Sequence, residues 1–275
     1  MDAPLNQVLF PATFADYFAA WNRFPDAVPF AGGTSLTAKR EEALESAPIF
    51  LCLDKIEELH RVTRTEHYLE IGAMVKLNKL TALGKIVPEV LCSCLKNIAG
   101  FQLRNIASIG GNICCISLLH DLPAPLIALD AQYELRTSQT ARWISAGRFH
   151  MDVPSVLGKQ ELLTRIRLPL HKWDYSVYRK FYCENFQISE SLVFLAKTQK
   201  SILSEIRVIY KGSSILRNKN AEDILNGKYL PLNHKTAGEF ILNWSEFLAH
   251  KQNISEFSRN SIINSIEENV FNLSE

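Results

Sequence analysis

The stretch "ASIGGNICC", Ala107 to Cys115, sets a glycine pair between a short apolar run and two adjacent cysteines. Another glycine pair lies roughly 75 residues earlier in "AGGTSL", Ala31 to Leu36. Paired glycines permit positive φ, and without Cβ atoms their backbone N–H groups can converge on an anion. In the second turn we expect these donors to be the N–H groups of Gly110 and Gly111. Two such turns together predict a site for a diphosphate, whereas either turn alone is more often a tight bend.

Hydroxyl and amide side chains flank both glycine pairs. They are Thr34 and Ser35 in the first turn, and Ser108 and Asn112 in the second. Neither turn has the G-x-G-x-x-G spacing that opens a helix after a strand, so a Rossmann nucleotide site is not indicated. The phosphate-loop pattern G-x-x-x-x-G-K-[ST] is also absent from the sequence. A nucleotide bound here would rest its phosphates on backbone loops of a different fold.

The composition is that of an ordinary globular chain without electrostatic bias. The 275 residues are 47% hydrophobic, and Lys plus Arg total 30 against 29 for Asp plus Glu. This balance gives no reason to expect nucleic acid or an anionic membrane as a partner. No apolar run reaches the roughly 18–20 residues that span a bilayer, and the amino terminus lacks the pattern of a signal peptide. We therefore expect a cytoplasmic protein.

The cysteines are not spaced for metal binding. Their local patterns are C-x-C at Cys92 and Cys94 and C-C at Cys114 and Cys115. Zinc sites favour C-x₂-C, and plant-type iron–sulfur clusters favour C-x₄-C-x₂-C. The histidines form no ligand pair either. We expect no metal on this chain, and we expect the cysteines to be small buried side chains.

The close spacing of Ser117, His120 and Asp121 suggests comparison with a hydrolytic triad. The members of such a triad normally converge from separate segments, and the G-x-S-x-G elbow is missing. Hydrolysis is therefore not indicated, and we expect no catalytic side chain.

The order of helical and extended patterns predicts an α+β fold. "TFADYFAAWNRF" places Phe14, Phe18 and Trp21 on one helical face behind Thr13 as N-cap. Strands are predicted at "PIFLCL", "ELLTRIRLPL", "YSVYRKFY" and "ILSEIRVIY", and a hairpin at "HRVTRTEHYLEIGAM". We expect irregular backbone through "FQLRNIASIGGNICC" and helices in about the last 55 residues. Strands and helices do not alternate regularly, which favours α+β over α/β.

Taken together, "AGGTSL" and the later "ASIGGNICCISLLHDLPAPLIALDA" resemble the FAD-binding medium subunits of the molybdenum hydroxylases, the family of xanthine dehydrogenase and carbon monoxide dehydrogenase. The resemblance covers nearly the whole chain. It implies a FAD-binding domain of the vanillyl-alcohol-oxidase/PCMH type at residues 1–170, with subdomains at 1–55 and 56–170. A smaller C-terminal α+β domain would follow at residues 171–275.

The resemblance also implies individual cofactor contacts. The two glycine turns would hold the FAD diphosphate, and Asp121, with His120 beside it, would be a polar contact. Leu163 would be an apolar contact, and Lys180 would meet the flavin end. The implied cofactor-binding residues are Ala31, Gly32, Gly33, Thr34, Ser35, Leu36, Ala107, Ser108, Gly111, Asn112, Cys115, His120, Asp121, Leu163 and Lys180.

The function implied by the resemblance is electron transfer within a complex. Electrons would pass from [2Fe–2S] clusters on a small partner subunit through FAD on this chain to NAD⁺ or another acceptor. A large partner subunit would hold molybdopterin and oxidise the substrate. Leu118 in place of a family proline, and "CENFQIS" soon after Lys180 in place of arginine and acidic residues, leave the acceptor open. Two other interpretations stay open, a scaffold subunit without flavin and a free-standing flavin reductase of the enolpyruvoyl-glucosamine reductase class.

Overall fold

The computed structural model describes residues 7–38, 49–115, 120–151, 157–181 and 189–273. Its strands are β1 (Gln7–Leu9), β2 (Val28–Phe30), β3 (Ile49–Cys52), β4 (Val62–Arg64), β5 (Tyr68–Gly72), β6 (Gln132–Arg136), β7 (Ala141–Ser145), β8 (Leu162–Pro169), β9 (Tyr175–Phe181), β10 (Glu190–Gln199), β11 (Ile202–Lys211) and β12 (Ile215–Arg217). Its helices are α1 (Phe14–Arg23), α2 (Thr34–Ala38), α3 (Leu77–Ala82), α4 (Glu89–Lys96), α5 (Phe101–Ile106), α6 (Ile109–Cys114), α7 (Pro123–Ala128), α8 (Ala146–Met151), α9 (Lys219–Leu225), α10 (His234–Ala249) and α11 (Glu256–Asn272). Over these ranges no helix combines the length and apolarity needed to cross a membrane. The expectation of mixed helices and sheets is confirmed.

Contacts within the chain divide it into two compact units, each drawn from separated stretches. The first unit comprises Met1–Val87, Ile98–Ile116 and Asp130–Leu170. The second unit comprises Pro88–Asn97, Ser117–Leu129 and His171–Glu275. The resemblance implies domain boundaries at residues 55 and 170, and these boundaries stay a prediction.

The first unit contains a parallel and an antiparallel sheet. The parallel sheet has the strand order β1-β3-β2, and the antiparallel sheet has the order β4-β5-β8-β6-β7. On the covered face of the antiparallel sheet, Leu69 pairs with Leu168, and Tyr133 pairs with Ile166. All four side chains are fully buried, as the alternation of apolar residues predicts. The predicted hairpin is confirmed as β4 and β5.

The opposite face of the antiparallel sheet is charged. Glu134 accepts a hydrogen bond from Arg165 Nη2 at 2.5 Å, and Glu70 accepts one from Arg167 Nη2 at 2.7 Å. The two guanidinium groups also lie over the ring of Trp143, at 5.6 and 4.0 Å from its centroid. This face therefore consists of ion-paired side chains and guanidinium groups stacked on an aromatic ring, an arrangement that tolerates contact with water.

Two short helices, α5 at Phe101–Ile106 and α6 at Ile109–Cys114, correct the expectation of irregular backbone through this stretch. Ser108 caps α6 by accepting a hydrogen bond from Gly111 N at 3.1 Å. α5 is fixed to α3, since Asn78 Nδ2 donates to Asn105 Oδ1 at 2.8 Å. Each of α5 and α6 has six residues, which is too short for a helical period to be recognised in the sequence.

The second unit is built on an antiparallel sheet with the strand order β12-β11-β10-β9. On one face Phe194 and Tyr210 pack with the C-terminal helices in a core that includes Trp244. The other face lies against α4 and α7, where Arg207 Nη1 donates to Ala128 O at 2.7 Å. Because β10 is buried on both faces, its apolar residues run on without alternation, and this strand is missing from the sequence-based predictions.

Candidate functional site

The first glycine turn leaves β2 at Phe30 and enters α2 at Thr34. β2 is anchored there, since Leu53 N donates to Phe30 O at 2.9 Å. Gly33 has a φ of +70°, and a Cβ on this residue would lie 2.7 Å from Cζ of Phe30. A larger residue at Gly33 would therefore be strained by its backbone conformation and by the neighbouring ring.

Gly32 is where the two glycine turns meet. A Cβ on Gly32 would lie 2.3 Å from the carbonyl oxygen of Ile106 and 3.3 Å from Cα of Ala107. From the other turn, a Cβ on Gly111 would lie 3.6 Å from Cβ of Ala31. The turns are distant in sequence but pack closely, and position 32 has room only for glycine.

The N–H groups expected to bind an anion in the second turn already have partners within the chain. Gly110 N donates to Ala73 O at 2.8 Å, and Gly111 N donates to Ser108 Oγ at 3.1 Å. These two bonds hold the turn in place. In this structure these two N–H groups are therefore engaged within the chain and are not offered to a ligand.

Asn112 of the second turn carries a polar side chain. Its Oδ1 atom is buried and has no hydrogen-bond partner among the described residues. A buried amide oxygen without a partner is costly, and it is expected where a ligand or an ordered water completes the site. FAD, the cofactor implied by the resemblance, has hydroxyl groups that can donate to an amide oxygen. The residues present therefore fit that cofactor.

Cys114, the last residue of α6, does not favour the thiolate form. Burial raises the pKa of Cys114 to about 12, with a further contribution from Cys115. Cys115 is half-buried, and its N–H donates to Gly111 O at 3.1 Å. In the part of the chain that the structure describes, no three His, Cys, Asp or Glu side chains form a group that could hold a metal ion.

Leu163 lies in the core on β8, where its side chain is 2% exposed. The next residue, Thr164, accepts a hydrogen bond at its carbonyl oxygen from Ala73 N at 3.0 Å. Ala73 O in turn accepts from Gly110 N. Ala73 therefore links β8 to the second glycine turn, although no signal in the sequence marks this residue.

In the second unit, two side chains donate to Asp121. Lys180 Nζ donates to Asp121 Oδ2 at 2.7 Å, and Ser189 Oγ donates to Oδ1. The side chain of Asp121 is only 2% exposed, whereas that of Lys180 is 23% exposed. Lys180 Nζ also donates to Asn97 O at 3.4 Å. His120 is half-buried next to Asp121 in the chain.

The cofactor-binding residues implied by the resemblance are divided between the two units. Those in the first unit are Ala31, Gly32, Gly33, Thr34, Ser35, Leu36, Ala107, Ser108, Gly111, Asn112, Cys115 and Leu163. Those in the second unit are His120, Asp121 and Lys180. Among the first set the structure brings the two turns together, and the cofactor roles of all these residues stay predictions. Leu118 and residues 183–188, which depart from the family pattern, lie outside the described residues.

Comparisons with known proteins agree on one family. A family model described as the FAD binding domain in molybdopterin dehydrogenase matches residues 4–171. The chain is 28% identical over 230 residues to xanthine dehydrogenase 2 of Arabidopsis thaliana, across 74% of this chain and 17% of that protein. It is 25% identical over 238 residues to the nicotine 6-hydroxylase medium subunit of Paenarthrobacter nicotinovorans, across 84% of this chain and 83% of that subunit.

A solved structure shows the same fold. A chain of quinoline 2-oxidoreductase from Pseudomonas putida 86 matches with a TM-score of 0.83 and 20% identity, over 100% of this chain and 98% of that chain. The present chain therefore spans a small part of the plant xanthine dehydrogenase but nearly all of this structural relative.

Proposed function

The chain belongs to the family of FAD-binding domains of molybdopterin dehydrogenases, and from that premise we propose that it is the electron-transfer flavoprotein subunit of a molybdenum hydroxylase. The observation that carries the proposal is the meeting of the two glycine turns, where Gly32 lies against Ile106. The adjoining turns carry the hydroxyls of Thr34 and Ser35 and the amide of Asn112, which are side-chain groups that can donate to linked phosphates. The buried and unsatisfied Oδ1 of Asn112 on the second turn supports a polar ligand at the same place.

When bound, FAD supplies storage for two electrons and exchange of one at a time. The task of this chain's residues is to hold and orient it. Thr34 and Ser35 would donate to the diphosphate from the first turn, and Asn112 would pair with it or with a neighbouring hydroxyl from the second. Leu163 would form part of the apolar support. Burial raises the pKa of Cys114 to about 12, so its thiol stays protonated at neutral pH and Cys114 is not a nucleophile here.

We also propose the two-part domain organisation implied by the resemblance. The parallel sheet of β1, β3 and β2 falls within residues 1–55, and the antiparallel sheet of β4 to β8 falls within residues 56–170. Two separate sheets on either side of residue 55 support the proposed subdomains. Residues 171–275 would then form the smaller C-terminal domain.

The remaining parts of the reaction are assigned to partner chains. A small subunit with [2Fe–2S] clusters would deliver electrons, and a large molybdopterin subunit would oxidise the organic substrate. The match with a relative named as a medium subunit, over most of both chains, supports a heteromeric complex. NAD⁺ or another oxidant would accept the electrons, and the cytoplasm is the expected location.

The first test is the absorption spectrum of the purified chain, combined with extraction and mass identification of any cofactor. We expect flavin bands and about one FAD per chain. Rapid bleaching of these bands by a reduced [2Fe–2S] partner protein would support the electron-transfer role.

Other results of this test favour the other interpretations. A folded, colourless chain that refuses added FAD, alone and with its partners, would favour the scaffold subunit. A flavin that a nicotinamide reduces in the isolated chain, with turnover of an organic substrate, would favour the free-standing reductase.

A further inference from the structure

The charged face of the antiparallel sheet borders a cavity of about 400 Å³. Glu134 on β6 and Arg165 on β8 line the cavity from the sheet, and Phe14, the first residue of α1, lines it from outside the sheet. Every described residue that lines the cavity belongs to the first unit. None of these residues belongs to either glycine turn, so the cavity differs from the candidate cofactor site in all its residues.

A short 3₁₀ helix, Glu57–His60, forms one side of the cavity by packing against β5 at Gly72. A Cβ on Gly72 would lie 2.2 Å from the carbonyl oxygen of Leu59, so only glycine lets the two backbones approach this closely. Directly after the helix, Arg61 O accepts a hydrogen bond from Gly72 N at 2.8 Å. This packing places Glu58 and Arg61 beside the charged face, where both line the cavity.

The carboxylates that line the cavity from the sheet are already paired. Arg165 donates to Glu134 from Nε at 2.9 Å and from Nη2 at 2.5 Å, and to Glu70 from Nη1 at 3.2 Å. Glu134 also accepts from Thr164 Oγ, and Glu70 accepts from Arg167. Burial raises the pKa of Glu134, but the hydrogen bonds from Arg165 and Thr164 lower it by more, so this carboxylate is ionised at neutral pH. The guanidinium group of Arg165 is therefore fully engaged by these two carboxylates.

Two other guanidinium groups line the cavity without a carboxylate partner. Arg61 and Arg136 form no ion pair and no side-chain hydrogen bond with the described residues. Cζ of Arg136 lies 4.6 Å from the ring centroid of Phe14, a contact that orients the group and leaves its N–H bonds available. Glu58 is exposed and is the one described lining carboxylate without an ion pair. Two guanidinium groups against one carboxylate leave the unpaired charge of the lining positive.

We propose that this cavity binds a small organic oxyanion, a phosphate ester or a dicarboxylate, between Arg61 and Arg136. A guanidinium group offers paired N–H donors that match the oxygens of phosphate and carboxylate groups. Thr63, which also lines the cavity, adds a hydroxyl donor. The volume lies in the range of small-molecule sites, roughly 300–1,000 Å³, so the ligand is larger than a bare inorganic ion. This inference does not depend on the proposed function.

Equilibrium dialysis of the full chain against radiolabelled inorganic phosphate and against radiolabelled succinate, at low ionic strength, tests the inference. We expect the wild-type chain to retain at least one of these anions, and the anion that binds more tightly assigns the ligand to phosphate esters or to dicarboxylates. Arg61→Gln and Arg136→Gln should each bind it about tenfold more weakly, because a hydrogen bond to a charged group is lost. Glu58→Gln should bind it more tightly, because a repelling carboxylate is removed. Retention of neither anion at millimolar concentration would overturn the inference.

Arg64→Gln is the matched control, because Arg64 is an exposed arginine on β4 that does not line the cavity. Arg61 is exposed as well, so neither substitution should alter the unfolding of the chain in urea. Equal weakening in Arg61→Gln and Arg64→Gln would show general attraction by surface charge and would overturn the inference.

Competition with FAD distinguishes the cavity from the candidate cofactor site. We expect the bound anion to stay when FAD is added, since the glycine turns do not line the cavity. Displacement of the anion by FAD would place it in the cofactor site and would overturn the inference. A wild-type chain that takes up no FAD, alone or with its partners, but retains the anion would overturn the proposed function and leave this inference supported.

Discussion

Gly32 and Gly33 are neighbours, yet each excludes a side chain for its own reason. At Gly32 the obstacle is the carbonyl group of Ile106, part of a backbone fixed in α5. At Gly33 the obstacles are its φ of +70° and the ring of Phe30, which can shift by rotation. Gly32 is therefore the less tolerant position, because even one methyl group there would push the two turns apart.

We expect Gly32→Ala to weaken FAD binding by at least tenfold, since the added Cβ would lie 2.3 Å from Ile106 O. Gly147→Ala is the matched control, because a Cβ on Gly147 would have no neighbour within 4 Å. Titration of both cofactor-free chains with FAD measures the difference. A Gly32→Ala chain that binds FAD as tightly as the control would show that contact between the turns is not required.

His150 makes the stability of the chain depend on pH. Burial lowers its pKa to about 4, and its Nε2 lies 3.0 Å from the hydroxyl oxygen of Tyr133. Unfolded histidine has a pKa near 6.5, so between about pH 6.5 and 4 the unfolded chain binds a proton that the folded chain does not. The folded state is therefore destabilised as the pH falls through this window.

We expect roughly 2–3 kcal/mol of the free energy of unfolding to be lost from this histidine between pH 7 and pH 4. Urea unfolding of the wild-type chain and of His150→Gln at pH 7 and at pH 4 measures this loss of free energy. The glutamine variant, which has no proton to gain, should lose less stability on acidification. Equal losses of the free energy of unfolding in the wild-type and His150→Gln chains would mean that other groups cause the acid sensitivity.

Among the helices, α1 and α6 use the same kind of cap, yet only α1 could be predicted. Thr13 precedes a ten-residue helix whose apolar face is visible in the sequence, and its side chain accepts from Asp16 N. Ser108 caps a six-residue helix, α6, in which two glycines obscure any helical pattern. Both caps are hydroxyl side chains that accept from the N–H three residues later, but only the longer helix showed a pattern in the sequence that could be recognised.

We expect Ser108→Ala to destabilise the chain by about 1 kcal/mol, the usual cost of losing an N-cap, and also to weaken FAD binding. Ser255→Ala is the matched control, because Ser255 caps α11 by the same bond, to Ser258 N at 3.1 Å. Urea unfolding and FAD titration of both variants separate the two effects. If FAD affinity falls equally in both, the cap of α6 has no particular role at the site.

The residues of the candidate site could be named from the sequence, but the contacts between them could not. The glycine pairs and their order in the chain predict a diphosphate site, and that role stays a prediction. The bonds that build it could not be foreseen, since Gly110 N pairs with Ala73 O and Asp121 pairs with Ser189. These partners are far apart in sequence, and neither Ala73 nor Ser189 belongs to a recognisable motif.

At the scale of the whole molecule, both units are assembled from interrupted stretches of the chain. α7 illustrates this, because it lies within residues 117–129 but belongs to the second unit, whose sheet begins after residue 170. All six of its residues, Pro123 to Ala128, are buried. They pack against β10 and β11. A break after residue 170 would remove both strands and leave α7 uncovered.

We therefore expect a chain that ends at Leu170 to aggregate, since exposed apolar segments of this kind promote association. Residues 1–170 and the full chain are expressed in parallel. Size-exclusion chromatography then measures aggregation, and urea unfolding measures the cooperativity of each chain. The full chain is the control for expression and handling. A soluble, monomeric fragment with one cooperative unfolding transition would contradict the expectation.

The same interruption sets an order of events during synthesis on the ribosome. α7 is made roughly 80 residues before the end of β11, the strand that covers part of it. At about 5–20 residues per second, translation leaves this apolar segment without its sheet for on the order of 4–16 s. During that interval the nascent chain presents a binding site for chaperones. Slow codons between residues 129 and 211 would lengthen the exposure without changing a single amino acid.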